Sequence, residues 1–164
     1  MKRRCVFLDR DGTINVAPPP GEYIRGWAEF RFMPGIIDWL RIFRTLGFLV
    51  AVVTNQRGVA RGLIRPEDLE EIHRRMTLEI ENAGGRIDQI LCCPHEKDTC
   101  TCRKPKPGLI LEAQQRWDID LARSVLIGDS ELDQELAAGC GMAFVRVRDG
   151  HVIETVGSIL EKNS

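Results

Sequence analysis

Short apolar runs alternate along this chain with segments in which apolar residues recur every three or four positions. The continuous runs are typical of strands buried on both faces of a parallel sheet. The periodic segments are typical of amphipathic helices. The predicted strands are 4–9, 48–53, 87–92, 124–128 and 142–147, and the predicted helices are 34–46, 66–83, 107–117, 131–138 and 151–162.

This alternation predicts an α/β protein built from βαβ units, with a central parallel sheet and helices on both of its faces. The chain has 164 residues, which is enough for one domain with a substantial core. We therefore predict a single domain over 1–164. Residues 15–33 include Pro18-Pro19-Pro20-Gly21 and are predicted to form a loop.

The composition is that of an ordinary globular protein, with 43% hydrophobic residues, 29% charged residues and a net charge of -1. Such a charge gives no global field for binding nucleic acid or a membrane surface. No apolar run approaches the roughly 20 residues that span a bilayer. The apolar stretch that follows the basic start is too short for a signal peptide. We expect a cytoplasmic monomer that binds neither nucleic acid nor membrane.

Three of the predicted strands end in polar side chains. Ligands bind beyond the carboxyl ends of the strands in open parallel sheets, so these side chains are expected to share one site. The first of these stretches, taken alone, is equally typical of an ordinary turn at the end of a strand. The polar strand ends are Asp9 with Asp11, Thr54 with Asn55, and Asp129.

The carboxylates in this set suit phosphoryl transfer. Asp9 would attack phosphorus, and Asp11 would protonate the leaving oxygen and later activate water. Asp129 would complete a set of carboxylates around Mg2+, a cation that prefers oxygen ligands.

The remaining polar residues would bind the phosphoryl group. Thr54 and Asn55 offer a hydroxyl and amide donors to phosphate oxygens. Lys104 would supply positive charge against both the phosphoryl group and the nucleophile.

Four of the six cysteines lie within eleven residues, and the loop 93–102 predicts a metal site. In the absence of a secretion signal, such a cluster favours metal binding over disulfides. Four protein ligands would close a tetrahedral Zn2+ site and make it structural. The alternative is a flexible loop with free thiols. The predicted ligands are Cys93, His95, Cys100 and Cys102.

The four polar segments resemble the four motifs of the haloacid dehalogenase (HAD) superfamily of Asp-dependent phosphatases, from Val6 to about Arg148. The resemblance implies a Rossmann-like HAD fold in which Asp9 is the nucleophile and Asp11 the general acid/base. It also implies that Mg2+ is held by the carboxylates of Asp9 and Asp129 and by the backbone carbonyl of Asp11. Asp133 matches a position that often supports the metal, although it could be a solvent-facing or structural helix residue.

The cysteine loop and the stretch 54–62 resemble the HAD subgroup of heptose-1,7-bisphosphate 7-phosphatases and histidinol-phosphate phosphatases. The resemblance implies a fold without a large cap domain and a small phosphorylated metabolite as substrate. The substrate that the resemblance implies is D-glycero-D-manno-heptose 1,7-bisphosphate, cleaved at its 7-phosphate, or alternatively histidinol phosphate. The resemblance further implies that Arg103 contacts a second phosphate. Arg61 would add positive charge there, or would be a solvated or helix-capping arginine.

The sequence departs from this subgroup at two places. Ser130 stands where heptose enzymes often have lysine, and Ala17-Pro18-Pro19-Pro20 is inserted in the expected substrate loop. A catalytically silent phosphoacceptor or zinc-binding interaction module is the alternative from another class, and Asp11 argues against it. A polynucleotide end phosphatase is a third possibility, disfavoured by the near-neutral charge. His73, on the predicted helix 66–83, is expected to be a surface or boundary residue.

Overall fold

The computed structural model describes residues 2–148, which contain a five-stranded sheet whose strands all run parallel. The strands lie side by side in the order β3-β2-β1-β4-β5, so β1 is central. The predicted α/β architecture is confirmed. The strands are β1 (Cys5–Leu8), β2 (Leu49–Asn55), β3 (Gln89–Cys93), β4 (Val125–Gly128) and β5 (Ala143–Arg146), and the helices are α1 (Ile36–Thr45), α2 (Pro66–Asn82), α3 (Gly108–Trp117) and α4 (Glu131–Gly139).

Alternate residues of the central strand feed two separate cores, because successive side chains point to opposite faces of a sheet. Val6 and Leu8 pack in a cluster with the buried stripes of α1 and α2. Cys5 and Phe7 pack in a second cluster with α3 and α4. Both faces of β1 are therefore covered, which explains its uninterrupted apolar sequence.

The carboxyl ends of β2 and β3 reach further than the apolar runs predicted. β2 continues through Thr54 and Asn55, which pair with Cys92 and Cys93 of β3. This pairing holds two polar residues of β2 in extended backbone at the edge where the site is expected.

The segment between β1 and α1, residues 9–35, has little regular secondary structure. It includes one short 3-10 helix, Trp27–Glu29, and a cluster of aromatic rings in which Phe30 stacks on Trp27 at 4.9 Å and meets Phe32 edge-on at 5.1 Å. The structured part of the chain, 2–148, shows no large cap domain. None of its helices has the length and apolar character needed to cross a bilayer. The predicted helix 151–162 lies outside the described residues.

Candidate active site

The polar strand ends meet at one edge of the sheet, as predicted. Asp9 follows β1, and its backbone N–H continues the sheet by donating to the carbonyl of Ile127 at 3.0 Å. Lys104, on the loop after β3, reaches the same place and is only 4% exposed. Its Nζ lies 2.9 Å from Oδ1 of Asp9 and 2.7 Å from Oδ1 of Asp133, and it donates to the carbonyl of Val53 at 2.9 Å.

Burial controls the electrostatics of Asp9. Loss of water raises the pKa of this carboxyl, the Lys104 charge lowers it, and the nearby Asp133 charge raises it again; the result is a pKa of about 7. Burial also acts against the charged form of Lys104, but the two carboxylates outweigh it and raise the pKa of the ammonium. The lysine is therefore held as a cation beside the proposed nucleophile.

Three carboxylates form an acidic cluster suited to a hard cation. Asp9, Asp129 and Asp133 each offer an oxygen, and these oxygens lie within 4.8 Å of one another. Burial and the Asp133 charge raise the pKa of Asp129, as expected for acids that repel one another without a cation. Gly12 lies so close to the Asp129 carboxylate that any side chain at position 12 would overlap it. The cluster thus fits Mg2+, which takes carboxylate ligands.

The oxygens of Asp133 are already engaged. Oδ1 accepts from Lys104, and Oδ2 accepts from the hydroxyl of Ser130 at 2.7 Å. Ser130 in turn caps α4 by accepting from the backbone N–H of Asp133 at 3.2 Å. Asp9 and Asp129 are therefore better placed to bind a metal. Asp133 instead orients the lysine and takes part in the N-terminal cap of α4. Ser130, the departure noted in the sequence, is part of this capping box.

Asp11 faces a different set of partners, all of them donors. Its Oδ1 accepts from Nε and Nη2 of Arg10 at 3.2 and 2.9 Å and from Nδ2 of Asn15 at 2.9 Å. Its Oδ2 accepts from Nε2 of Gln56 at 3.0 Å. Burial opposes ionisation of Asp11, but the Arg10 charge and these hydrogen bonds outweigh it and lower the pKa.

Thr54 and Asn55 have protein partners of their own. The Thr54 hydroxyl is buried and accepts from Gln56 at 2.9 Å. The Asn55 amide accepts from the backbone N–H of Lys104 at 3.0 Å and donates to its carbonyl at 3.3 Å. Asn55 thus holds the backbone of the residue that carries the buried cation.

The cysteine loop brings its four predicted ligands together. Sγ of Cys93 lies 3.6 Å from Sγ of Cys100 and 3.6 Å from Nδ1 of His95, which lies 3.2 Å from Sγ of Cys102. Zinc–sulfur bonds of about 2.3 Å and zinc–nitrogen bonds of about 2.0 Å in a tetrahedron separate ligand atoms by about this much. The loop fits a closed zinc site, and Lys104 lies two residues beyond its last ligand.

Arg103 and Arg61 have different surroundings near this loop. Nη1 of Arg103 is buried and has no hydrogen-bond partner. Arg103 and Lys104 line a cleft of about 330 Å³ together with Lys97 and Lys106. Arg61 instead pairs with Glu96 of the zinc loop, at 3.5 Å, and is half exposed.

Three residues of the site were not identified from sequence: Arg10, Asn15 and Gln56, each a donor to Asp11. Arg10 is fully buried, and its Nη1 lies 3.1 Å from Nε2 of His73 on α2. His73 is partly buried, in agreement with the expected boundary position, but it also contacts the side chain that holds Asp11, a contact that the sequence did not indicate. The position of Arg10 between two aspartates could have indicated its role, because an arginine at the end of a buried strand needs acidic partners.

Comparisons with known proteins agree with this geometry. The HAD-hydrolase-like family model matches residues 101–156. The chain is 39% identical over 149 residues to D-glycero-beta-D-manno-heptose-1,7-bisphosphate 7-phosphatase of Rhodopseudomonas palustris, covering 86% of this chain and 81% of the relative. It is 42% identical over 135 residues to D-glycero-alpha-D-manno-heptose-1,7-bisphosphate 7-phosphatase of Mycobacterium tuberculosis, covering 81% of this chain and 70% of the relative.

A solved structure shares the fold as well. The D,D-heptose 1,7-bisphosphate phosphatase from B. bronchiseptica, complexed with magnesium and phosphate, superposes with a TM-score of 0.81 at 35% identity. The match covers 86% of this chain and 78% of that protein.

Proposed function

This chain belongs to the HAD-like hydrolases and is a phosphatase of that family, and we propose that its substrate is a heptose 1,7-bisphosphate that it cleaves at the 7-phosphate. The observation that carries the reaction is the buried contact of Asp9 with Lys104 beside the acidic cluster, and the relatives named above support the choice of substrate. A carboxylate that must attack a phosphate dianion needs a cation to offset the repulsion.

In the proposed reaction, an oxygen of Asp9 attacks phosphorus and the ester oxygen leaves with a proton from Asp11. Water then attacks the aspartyl-phosphate, giving its proton to Asp11, and Asp9 is regenerated as inorganic phosphate departs. Lys104 offsets negative charge on Asp9 and on the phosphoryl oxygens throughout. Mg2+, which HAD phosphatases use, would be held by Asp9, Asp129 and the backbone carbonyl of Asp11, and would neutralise charge on the phosphoryl group.

Asp11 is suited to both proton transfers. Its lowered pKa keeps it ionised in the free protein, and it becomes the proton acceptor when water attacks. A phosphate dianion arriving beside a carboxylate raises the pKa of that carboxylate through like-charge repulsion, which favours protonation before the leaving group departs.

Arg103 would bind a second anionic group of the substrate. Arg103 lines the cleft, and its Nη1 has no hydrogen-bond partner in the protein, so the guanidinium has an unused donor for a ligand oxygen when the side chain turns towards the cleft. Thr54 and Asn55 would contribute to phosphoryl binding, and Arg61 would add positive charge from its place beside Glu96. A bisphosphate uses Arg103, whereas histidinol phosphate has no second phosphate to offer it.

We also propose that the protein works as a cytoplasmic monomer on this small metabolite and not on nucleic acid. The acidic cluster and Lys104 come from a single chain, and the net charge is -1. The zinc ligands include three thiolates, which a reducing compartment keeps available. Light scattering after size-exclusion chromatography will give the oligomeric state.

The substrate proposal is tested by phosphate release with Mg2+ from both anomers of heptose 1,7-bisphosphate, fructose 1,6-bisphosphate and histidinol phosphate. We expect the highest kcat/KM for a heptose anomer. Preference for histidinol phosphate would overturn the bisphosphate assignment, and phosphorylation of Asp9 without turnover would support the silent module instead.

The mechanism is tested by Asp9→Asn. We expect phosphate release to fall by on the order of 1,000-fold or more because the nucleophile is lost, with zinc content and circular dichroism unchanged. Asp38→Asn, at an exposed position on α1, is the matched control and should keep full activity. Turnover by Asp9→Asn at the wild-type rate would contradict a nucleophilic role.

A further inference from the structure

Arg10 is among the largest fully buried side chains of the protein, and it is charged. It lies between Asp9 and Asp11, but its guanidinium turns towards Asp11 and α2. Nε and Nη2 donate to one oxygen of Asp11, and Nη1 lies 3.1 Å from Nε2 of His73. The pair joins residues 63 positions apart in the chain.

The chemistry of this contact fixes the state of His73. A guanidinium has only donors, so Nε2 of His73 must accept and the ring proton must be on Nδ1. Burial and the Arg10 charge lower the pKa of His73 to about 3, against a smaller opposing effect of Asp11. The ring is therefore neutral at physiological pH and can present the lone pair that Arg10 needs.

We propose that His73 is a positioning residue for phosphoryl transfer, because it fixes the Arg10 guanidinium that aims the carboxylate of Asp11. The proposal rests on the acid/base role given to Asp11 in the proposed function. Two of the four hydrogen bonds to Asp11 come from Arg10, and both reach the same oxygen. If the guanidinium rotates, Oδ1 keeps only the contact from Asn15.

Two isosteric substitutions separate this role from simple packing. The amide oxygen of glutamine can occupy the place of Nε2 and accept from Arg10, whereas that of asparagine reaches only the place of Nδ1. His73→Gln should therefore preserve the alignment of Asp11, and His73→Asn should lose it. Thr77→Asn, one helical turn along α2 and lining the same surface hollow, is the matched control.

The informative measurement is kcat/KM for two classes of ester. An alkyl phosphate has a poor leaving group and needs a well-aimed acid, whereas p-nitrophenyl phosphate needs little protonation. We expect His73→Asn to lower kcat/KM by about 10- to 100-fold for the best alkyl substrate and by less than about threefold for p-nitrophenyl phosphate. His73→Gln and Thr77→Asn should stay within about threefold of wild type for both esters.

Equal losses on the two esters, no loss, or a glutamine variant as impaired as the asparagine variant would each overturn the proposal. His73→Leu, which likewise offers Arg10 no acceptor at the place of Nε2, repeats the comparison if the asparagine variant does not fold. A wild-type protein that cleaves no phosphate ester would instead contradict the proposed function itself. An active wild type with unaffected His73 variants would remove the positioning role alone.

Discussion

Asp9 and Asp11 are two residues apart, but their carboxyl groups experience opposite surroundings. Burial and a neighbouring carboxylate raise the pKa of Asp9, although Lys104 lies beside it. Asp11 accepts four hydrogen bonds, and its pKa is lowered. Environments that push the pKa values of neighbouring acids apart are typical of sites that divide nucleophilic and proton-transfer roles. The divergence arises because burial and the Asp133 charge outweigh Lys104 at Asp9, whereas Arg10 and the other donors outweigh burial at Asp11.

The neutral state of His73 predicts a pH dependence of stability. The imidazole has a pKa near 6.5 when unfolded and about 3 in the native protein, so acid favours the unfolded chain. The His73 contribution is fully present above pH 6.5 and is lost as the pH falls towards 3. We expect wild type to lose about 2 kcal/mol more unfolding free energy than His73→Gln between pH 7.5 and pH 5.

Urea unfolding at the two pH values measures this difference, since glutamine does not titrate. Thr77→Asn retains His73 and should follow the wild-type dependence. Parallel pH profiles for wild type and His73→Gln would show that His73 is not buried as a neutral ring.

At the scale of elements, periodicity and strand-end chemistry predicted much of the fold and the site. The apolar run 48–53 became β2, and Pro66 with its following acids begins α2 as expected. The pattern could not reveal that Asn55 binds the backbone of Lys104 or that Arg10 contacts His73. Both are polar contacts across about 50 or more residues, and apolar periodicity carries no information about such partners.

The zinc loop makes a prediction about stability. We expect one zinc per purified chain, and we expect Cys100→Ser or a strong chelator to lower Tm by at least about 5 °C, because the metal binds only the folded loop. Metal analysis measures the zinc content, and thermal unfolding measures Tm. We expect chelation to lower Tm before it changes the Mg2+ dependence of turnover.

Cys140→Ser is the matched control, since Cys140 lies outside the ligand cluster and should leave zinc content unchanged. A native protein that is purified without zinc and melts at the same temperature as the metal-loaded form would contradict the structural role.

At the scale of the whole molecule, Lys104 joins parts of the chain that are distant in sequence. Its Nζ contacts Asp9 after β1, Val53 in β2 and Asp133 in α4. The lysine thus connects the loop after β3 to the centre of the sheet and to a helix on one face. A cation that neutralises two buried carboxylates stabilises the fold as well as the proposed chemistry.

Lys104→Met should therefore destabilise the protein in a pH-dependent way. Without the cation, the folded-state pKa of the Asp9 carboxyl rises further above its unfolded value, so the stability deficit grows as the pH rises. In buffer without Mg2+ we expect a loss of about 3–5 kcal/mol at pH 8 and a smaller loss at pH 5.5. Urea unfolding of wild type and variant measures both losses.

Lys106→Met removes an exposed lysine from the same loop and should change stability little at either pH. A deficit for Lys104→Met that is the same at pH 8 and pH 5.5 would show that the lost energy is packing rather than charge.

The central place of β1 has an evolutionary consequence. Asp9 directly follows a strand with neighbours on both sides and apolar cores on both faces, whereas Arg103 lies on a loop next to the predicted zinc ligands. Substitutions or insertions in such loops can alter which ester is admitted without moving the Asp9 carboxylate. Descendants of this chain can therefore acquire new substrates by loop variation while inheriting the same chemistry.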